Sequence, residues 1–209
     1  MRLNALGRLG MNNPARAWLL RNVVAGRLEA IDETPADRAL VVGCGQGVDI
    51  DVAIDRFGAR EVVAIDIDPR QVARARRRTG LRPSVEVRLA DVTATGLPDG
   101  SFDTVFDLGA VQLVPAWRLA YAEIARLLTP GGLLRFETIV GRAFRAVLPI
   151  STEGLRSPNT TGYGEASVLQ ELAAVGLRAG PASLVRPPRP ALLTGLVGDL
   201  VGVATKEPA

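Results

Sequence analysis

Arg38-Ala39-Leu40-Val41-Val42-Gly43-Cys44-Gly45-Gln46-Gly47-Val48 is a short apolar run that stops at three glycines spaced two apart. The run is too short for a helix, so it reads as a strand buried on both faces of a parallel sheet. Val48 to Phe57 reads as a helix, with Asp49 and Asp51 favourably placed near its positive end. A strand, a glycine-rich turn and a helix bring backbone N–H groups close to a polar or anionic ligand. A dinucleotide fingerprint would need its third glycine at position 48; here it comes one residue early, at Gly47, and Val48 follows.

Working outward, Val62-Val63-Ala64-Ile65-Asp66 reads as a second buried strand with Asp66 at its end. A carboxylate there can accept both hydroxyls of a ribose; the plainer alternative is a strand-end turn residue. Asp68 is placed to cap the next helix, with Pro69 at its first position and Gln71 reaching back as in a capping box. That helix should stop at Gly80. Val85 to Leu89 is a third strand, Thr104 to Leu108 a fourth and Leu133 to Val140 a fifth, with a helix over Pro115–Leu128 and a turn at Thr129-Pro130-Gly131-Gly132. Strand–helix alternation predicts a doubly wound parallel sheet. A helix is expected over Glu165–Ala174, and strands over Ala182–Val185 and Leu200–Thr205. Before the first strand, residues 11–31 read as one amphipathic helix carrying Trp18 and Leu19, with Pro14 in its first turn and a linker over Asp32–Asp37. That helix is core packing, a lid or a membrane-surface contact. The stretch 141–163 is a long polar insertion, of the kind that covers a site or moves.

The bulk numbers narrow the class. A chain of 209 residues, 47% hydrophobic, can build a full core. The expected organisation is one domain over 1–209: a helical cap over 1–37, then an α/β core over 38–209 that contains the insertion. Cys44 is the only cysteine, which fits a reducing cytoplasm, and it reads as a small packing residue rather than a nucleophile. Met1 to Ala30 lacks the apolar core of a secretory leader, and no apolar run is long enough to span a bilayer. There is no histidine, so the commonest general base and metal ligand is missing, and no metal is expected. Net charge is +3 and the pI about 9.7. Lys206 is the only lysine, and the arginine cluster Arg74, Arg76, Arg77 and Arg78 reads as a solvated helix face rather than a nucleic-acid surface.

Four stretches, in order and on the expected elements, resemble the class I, Rossmann-like S-adenosylmethionine-dependent methyltransferases, and within them the branch acting on small molecules. They are Val41–Gly47, Val63–Pro69, Ala90-Asp91-Val92 with Leu97–Asp103, and Ala125–Gly132. The resemblance covers the chain from about Arg38 to Lys206. It implies an α/β fold: a mostly parallel seven-stranded sheet with an antiparallel last strand, plus the N-terminal helix. It also implies S-adenosylmethionine as cofactor. The turn Gly43, Cys44, Gly45 and Gly47 would cradle its methionyl part, Asp66 would bind the ribose and Ile67 would pack on the adenine. Asp91 and the Val92 N–H would meet the adenine edge, and Asp107 to Ala110 would line the site.

Two departures stand out. Such chains usually carry an acid where Val41 stands, and relatives often carry paired histidines where this one has Gln112-Leu113. The catalytic group is left open, with Asp107, Glu137 and Tyr163 as candidates. The acceptor pocket is expected between Trp18, Gln112 and Tyr163. The expected activity is methyl transfer to a small, rather apolar molecule by a cytoplasmic enzyme, and a homodimer is compatible with the sequence. The alternatives are an RNA or protein methyltransferase, or a non-catalytic binding or scaffold protein with the same fold. Asp107-Leu108-Gly109-Ala110 lacks the Pro-Pro-aromatic tetrad of enzymes that methylate nucleic-acid amino groups, which argues against that branch.

Overall fold

The structure is a computed structural model that describes residues 4–80, 82–140, 165–180, 184–185 and 198–208. The insertion 141–163, and Tyr163 with it, lies outside the described residues.

The N-terminal region is not one helix. α1 (Ala5–Met11) stops at Asn12-Asn13, and the Asn13 side chain caps α2 (Pro14–Leu19) by accepting the Arg16 N–H at 2.8 Å. A π-helical turn (Leu20–Val24) leads directly into α3 (Ala25–Ile31). The chain then alternates as read: β1 (Arg38–Val42), α4 (Val48–Asp55), β2 (Glu61–Asp66), α5 (Pro69–Thr79), β3 (Val85–Leu89) and β4 (Phe102–Leu108). A 3-10 turn (Val111–Leu113), α6 (Trp117–Leu127) and β5 (Leu128–Val140) follow. α7 (Glu165–Ala174), β6 (Leu177–Arg178), β7 (Leu184–Val185) and β8 (Gly198–Lys206) complete the described elements.

The sheet runs β3-β2-β1-β4-β5-β8-β6, seven strands in a row. β1 to β5 are parallel, while β8 runs antiparallel to β5. β7 adds a short antiparallel pairing to β8. The stretch expected as a turn, Thr129 to Gly132, belongs to β5. Its ladder with β4 shifts register between Phe102 and Thr104, and the bulge absorbs Pro130 and the left-handed Gly131.

β1 and β2 are buried on both faces, which is why they read as nearly unbroken apolar runs, whereas the edge strand β3 is largely exposed. On one face Leu40, Val42, Val105 and Phe136 pack with Trp117, Tyr121 and Ile124 of α6 and Leu172 of α7. On the other, Val41, Phe106 and Val203 pack with Leu28 of α3, Ile50 of α4 and Val72 of α5. The chain moves outward from β1 to β3 and then crosses back to β4 beside β1. Such a reversal opens a crevice at the carboxyl ends of the two central strands.

Candidate functional site

A cavity of about 360 Å³ fills that crevice. Its floor is the glycine turn after β1. Gly43 (φ +62) is required on two counts: the left-handed backbone, and a Cβ that would collide with Ala110 in the loop after β4. At Gly45 the nearest atoms to an added Cβ lie 4.0 Å off, so a side chain there would fill cavity space instead of meeting protein. Gly47 (φ +91) does not line the cavity; a Cβ would press on Arg78 at 3.1 Å and Ala75, so its role is to let α4 and α5 approach.

The strand ends supply the walls. Asp66 Oδ2 accepts the Gly45 N–H at 2.9 Å and Oδ1 accepts the Asp68 N–H at 2.8 Å, so this carboxylate shapes the glycine turn. Each oxygen keeps a second lone pair, enough to accept a hydroxyl apiece. Burial pushes the Asp66 carboxyl above its ordinary range, against the pull of those backbone bonds. Asp91 Oδ1 is engaged by Thr93, through N–H at 2.9 Å and hydroxyl at 2.8 Å. Ile65, Ile67 and Val92 give the neighbouring wall an apolar surface. Cys44 is buried, and burial, reinforced by Asp66 and Asp49, raises its thiol far above the range where a thiolate forms.

The N-terminal helices form the roof through Met11, Asn12, Arg16, Ala17 and Leu20. Arg16 is the clamp: its guanidinium donates to Glu137 Oε2 at 3.0 Å and to the Leu108 carbonyl at 3.1 Å. It passes so close to Gly109 (φ +94) that a Cβ there would lie 2.8 Å from Nη2. A second tie joins Asn12 to Gln71 through reciprocal amide bonds of 3.3 Å. Gln71 therefore reaches across to α1 instead of back to its own helix start; Asp68 alone caps α5, through the Arg70 N–H at 2.9 Å.

The structure thus gathers Gly43, Cys44, Gly45, Asp66, Ile67, Asp91 and Val92 on one cavity. Five expected residues lie elsewhere: Gly47, which serves the packing of α4 on α5, and four more. Trp18 is 61% exposed: helical residues turn by about 100° each, so with Arg16, Ala17 and Leu20 facing in, Trp18 faces out. Asp107 is buried behind the wall, where Oδ1 takes the N–H groups of Ala110 and Val111 at 2.9 and 3.0 Å. Burial pushes its carboxyl up to about 7. Glu137 is occupied by Arg16. Gln112 is buried too, donating to the Gly109 carbonyl at 2.9 Å and accepting from Thr138 at 3.2 Å; Leu113, its neighbour, lines the cavity instead. Arg16, Asn12 and Asp49 are cavity residues that sequence reading did not single out. Asp49 had a signal, an acid in the first turn after the glycines, but its direction had none.

The fold and site define the class: an α/β chain resembling the class I S-adenosylmethionine-dependent methyltransferases. The family model described as "Methyltransferase domain" matches residues 40–136. An uncharacterized 37.1 kDa protein in transposon TN4556 of Streptomyces fradiae is 40% identical over 51% of this chain and 31% of its own. A 24-methylenesterol C-methyltransferase 2 of Oryza sativa subsp. japonica is 33% identical over 61% of this chain and 36% of its own. The chain thus spans about a third of the length of these relatives. The N-methyltransferase NodS from Bradyrhizobium japonicum WM9, solved with S-adenosyl-L-homocysteine, shares the fold at TM-score 0.69 and 18% identity, over 95% of this chain and 90% of that one.

Proposed function

We propose that the protein is an S-adenosylmethionine-dependent methyltransferase acting on a small, largely apolar molecule. The observation that carries this is the convergence of three strand ends on one cavity: the glycine turn of β1, Asp66 of β2 and Asp91-Val92 after β3. The residues fit the cofactor. Asp66 retains acceptor capacity for a pair of hydroxyls, Asp91 presents a carboxylate where an exocyclic amine can donate, and Gly45 leaves open space where a side chain would stand. S-Adenosylmethionine, when bound, supplies a methyl group made electrophilic by its positive sulfur.

The chain's own contribution is positioning, which can supply about 7–11 kcal/mol in favourable cases. Among the described residues, Asp107 serves backbone N–H groups and Glu137 serves Arg16, so neither is placed as a general base. Leu20, Leu108, Leu113 and Val114 give the cavity an apolar wall toward β4, the kind of surface that holds a small apolar acceptor. The name of the plant relative, a sterol methyltransferase, agrees with that class. The whole of residues 1–209 works as one unit in this reading, with the N-terminal helices as its cap.

Calorimetry with S-adenosylhomocysteine tests the cofactor. Saturable heat is expected, and its absence at millimolar ligand overturns the reading.

A further inference from the structure

The first turn of α4 holds two buried acids with opposite fates. Asp51 gathers three arginines: Arg78 at 2.7 Å, Arg82 at 3.4 Å and Arg21. Asp49 is 7% exposed and lines the cavity, and its carboxyl makes no hydrogen bond or ion pair with any described residue. A buried carboxyl left so is costly, and evolution or packing normally supplies a partner. The charged and titratable groups around it are Arg16 from α2, Cys44 in the glycine turn, Asp66 at the end of β2, Asp107 on β4 and Glu137 on β5. Arg16 is the one cation in that set, and it is bound to Glu137. The neighbourhood therefore favours an incoming cation.

Its place in the sheet says which cation. The strand order β3-β2-β1-β4 lays out the cavity wall in sequence: Asp91 after β3, Asp66 on β2, the glycine turn after β1, then the β4 loop. If the nucleoside lies between Asp91 and Asp66, the amino-acid end of the cofactor falls toward β1 and β4, beside Asp49. Val41, where an acid was expected, is fully buried in one apolar cluster with Val48 and Ile50, the residues flanking Asp49. We propose that Asp49 receives the ammonium group of the methionyl moiety, carrying on α4 the negative charge that β1 lacks at Val41. This rests on the cofactor reading above.

The test compares S-adenosylhomocysteine with its desamino analogue, by calorimetry on the wild type and Asp49→Asn. The wild type should prefer the amino ligand by roughly tenfold or more, as a charge-assisted contact would give. Asp49→Asn should lose that preference and bind the desamino ligand as the wild type does. Burial pushes the Asp49 carboxyl up to about 8, so at pH 7 it holds a proton that an arriving ammonium expels. The wild type should then release about one proton on binding the amino ligand, measured in buffers of different ionisation heat. An Asp49→Asn protein that keeps the preference, or loses both ligands equally, overturns the assignment. If that variant does not fold, the wild type decides alone: equal affinity for the amino and desamino ligands overturns it. A wild type that binds neither ligand overturns the cofactor reading as well.

Discussion

Asp66 and Asp68 stand two positions apart and have separate tasks. Both line the cavity, but Asp66 holds the Gly45 N–H, whereas the Asp68 carboxylate is taken up in capping α5 and in a pair with Arg8 at 3.6 Å. Asp66→Ala should weaken S-adenosylhomocysteine binding by roughly a hundredfold, the worth of one or two hydrogen bonds to a charged acceptor. Asp68→Ala should cost about 1 kcal/mol of stability and change affinity little; titrations and melts on the two variants separate the outcomes. Asp107 and Asp49 give the molecule a pH signature. Burial raises both, to about 7 and about 8. A carboxyl raised on folding contributes stability that is complete below its unfolded value, about 4, and is lost as pH climbs from there to its folded value. Glu123, lowered to about 2 chiefly by Arg126, runs the other way, its contribution being lost as pH falls from its unfolded value of about 4.5 toward 2. The melting temperature of the unliganded protein should therefore fall between about pH 5 and pH 8, and level off above that. Asp107→Asn should make that fall shallower, since its amide keeps the acceptor for Ala110 and Val111 and cannot ionise. An unchanged slope would remove Asp107 from the account.

Arg135 ties two elements that sequence reading left unconnected. It is fully buried on β5, donates to the Asp32 and Thr34 carbonyls at 2.6 and 2.5 Å, pairs with Asp32 Oδ1 at 2.9 Å, and lies over the Phe57 ring at 4.2 Å. The segment Asp32–Asp37, which reads as a plain linker, is thereby fixed to the sheet. Arg135→Ala should cost about 3 kcal/mol, because it removes a fully buried side chain from its packing against Phe57 together with its bonds to Asp32 and Thr34. Arg56→Ala, which breaks a half-exposed pair with Glu29, should cost under about 1 kcal/mol. Denaturant titration of both variants checks the contrast, and equal losses would refute the assigned anchor. An arginine inside the strand Leu133–Val140 gives no sign of burial in the sequence, because its acceptors are backbone atoms a hundred positions away. The N-terminal break is legible only in part. Asn13-Pro14 marks a helix start, but α1 carries Gly7 and Gly10, weak helix formers, and is held by Asn12–Gln71 and Arg8–Asp68 contacts from outside.

Across the whole molecule, legibility follows the range of the interactions. β1 to β5 and their helices are readable because each is set by local periodicity and a glycine or proline boundary. Asp66 and Asp91 are readable because strand ends point into the crevice whatever the loops do. Trp18, Gln112 and Asp107 are not, since a helix rotation or a tight turn decides whether a side chain faces the cavity or the core. The same logic governs the arginines, which from the sequence alone give a pI of about 9.7 and suggest a polyanion partner. Among the described residues many are engaged within the fold: Arg16 on Glu137, Arg21, Arg78 and Arg82 on Asp51, Arg76 on the Val87 carbonyl, Arg126 on Glu123 and Asp99. The chain's net charge is +3, and the described arginines are divided among separate elements. A strand-binding enzyme needs several cations aligned on phosphates, and each such contact steepens the salt dependence by about 0.9 in log–log slope. Bulk RNA in a filter-binding salt series should therefore bind weakly, with a slope below about 2 in magnitude. Tight binding with a steep slope, accompanied by methyl transfer to the RNA, would displace the small-molecule acceptor in favour of a nucleic-acid one.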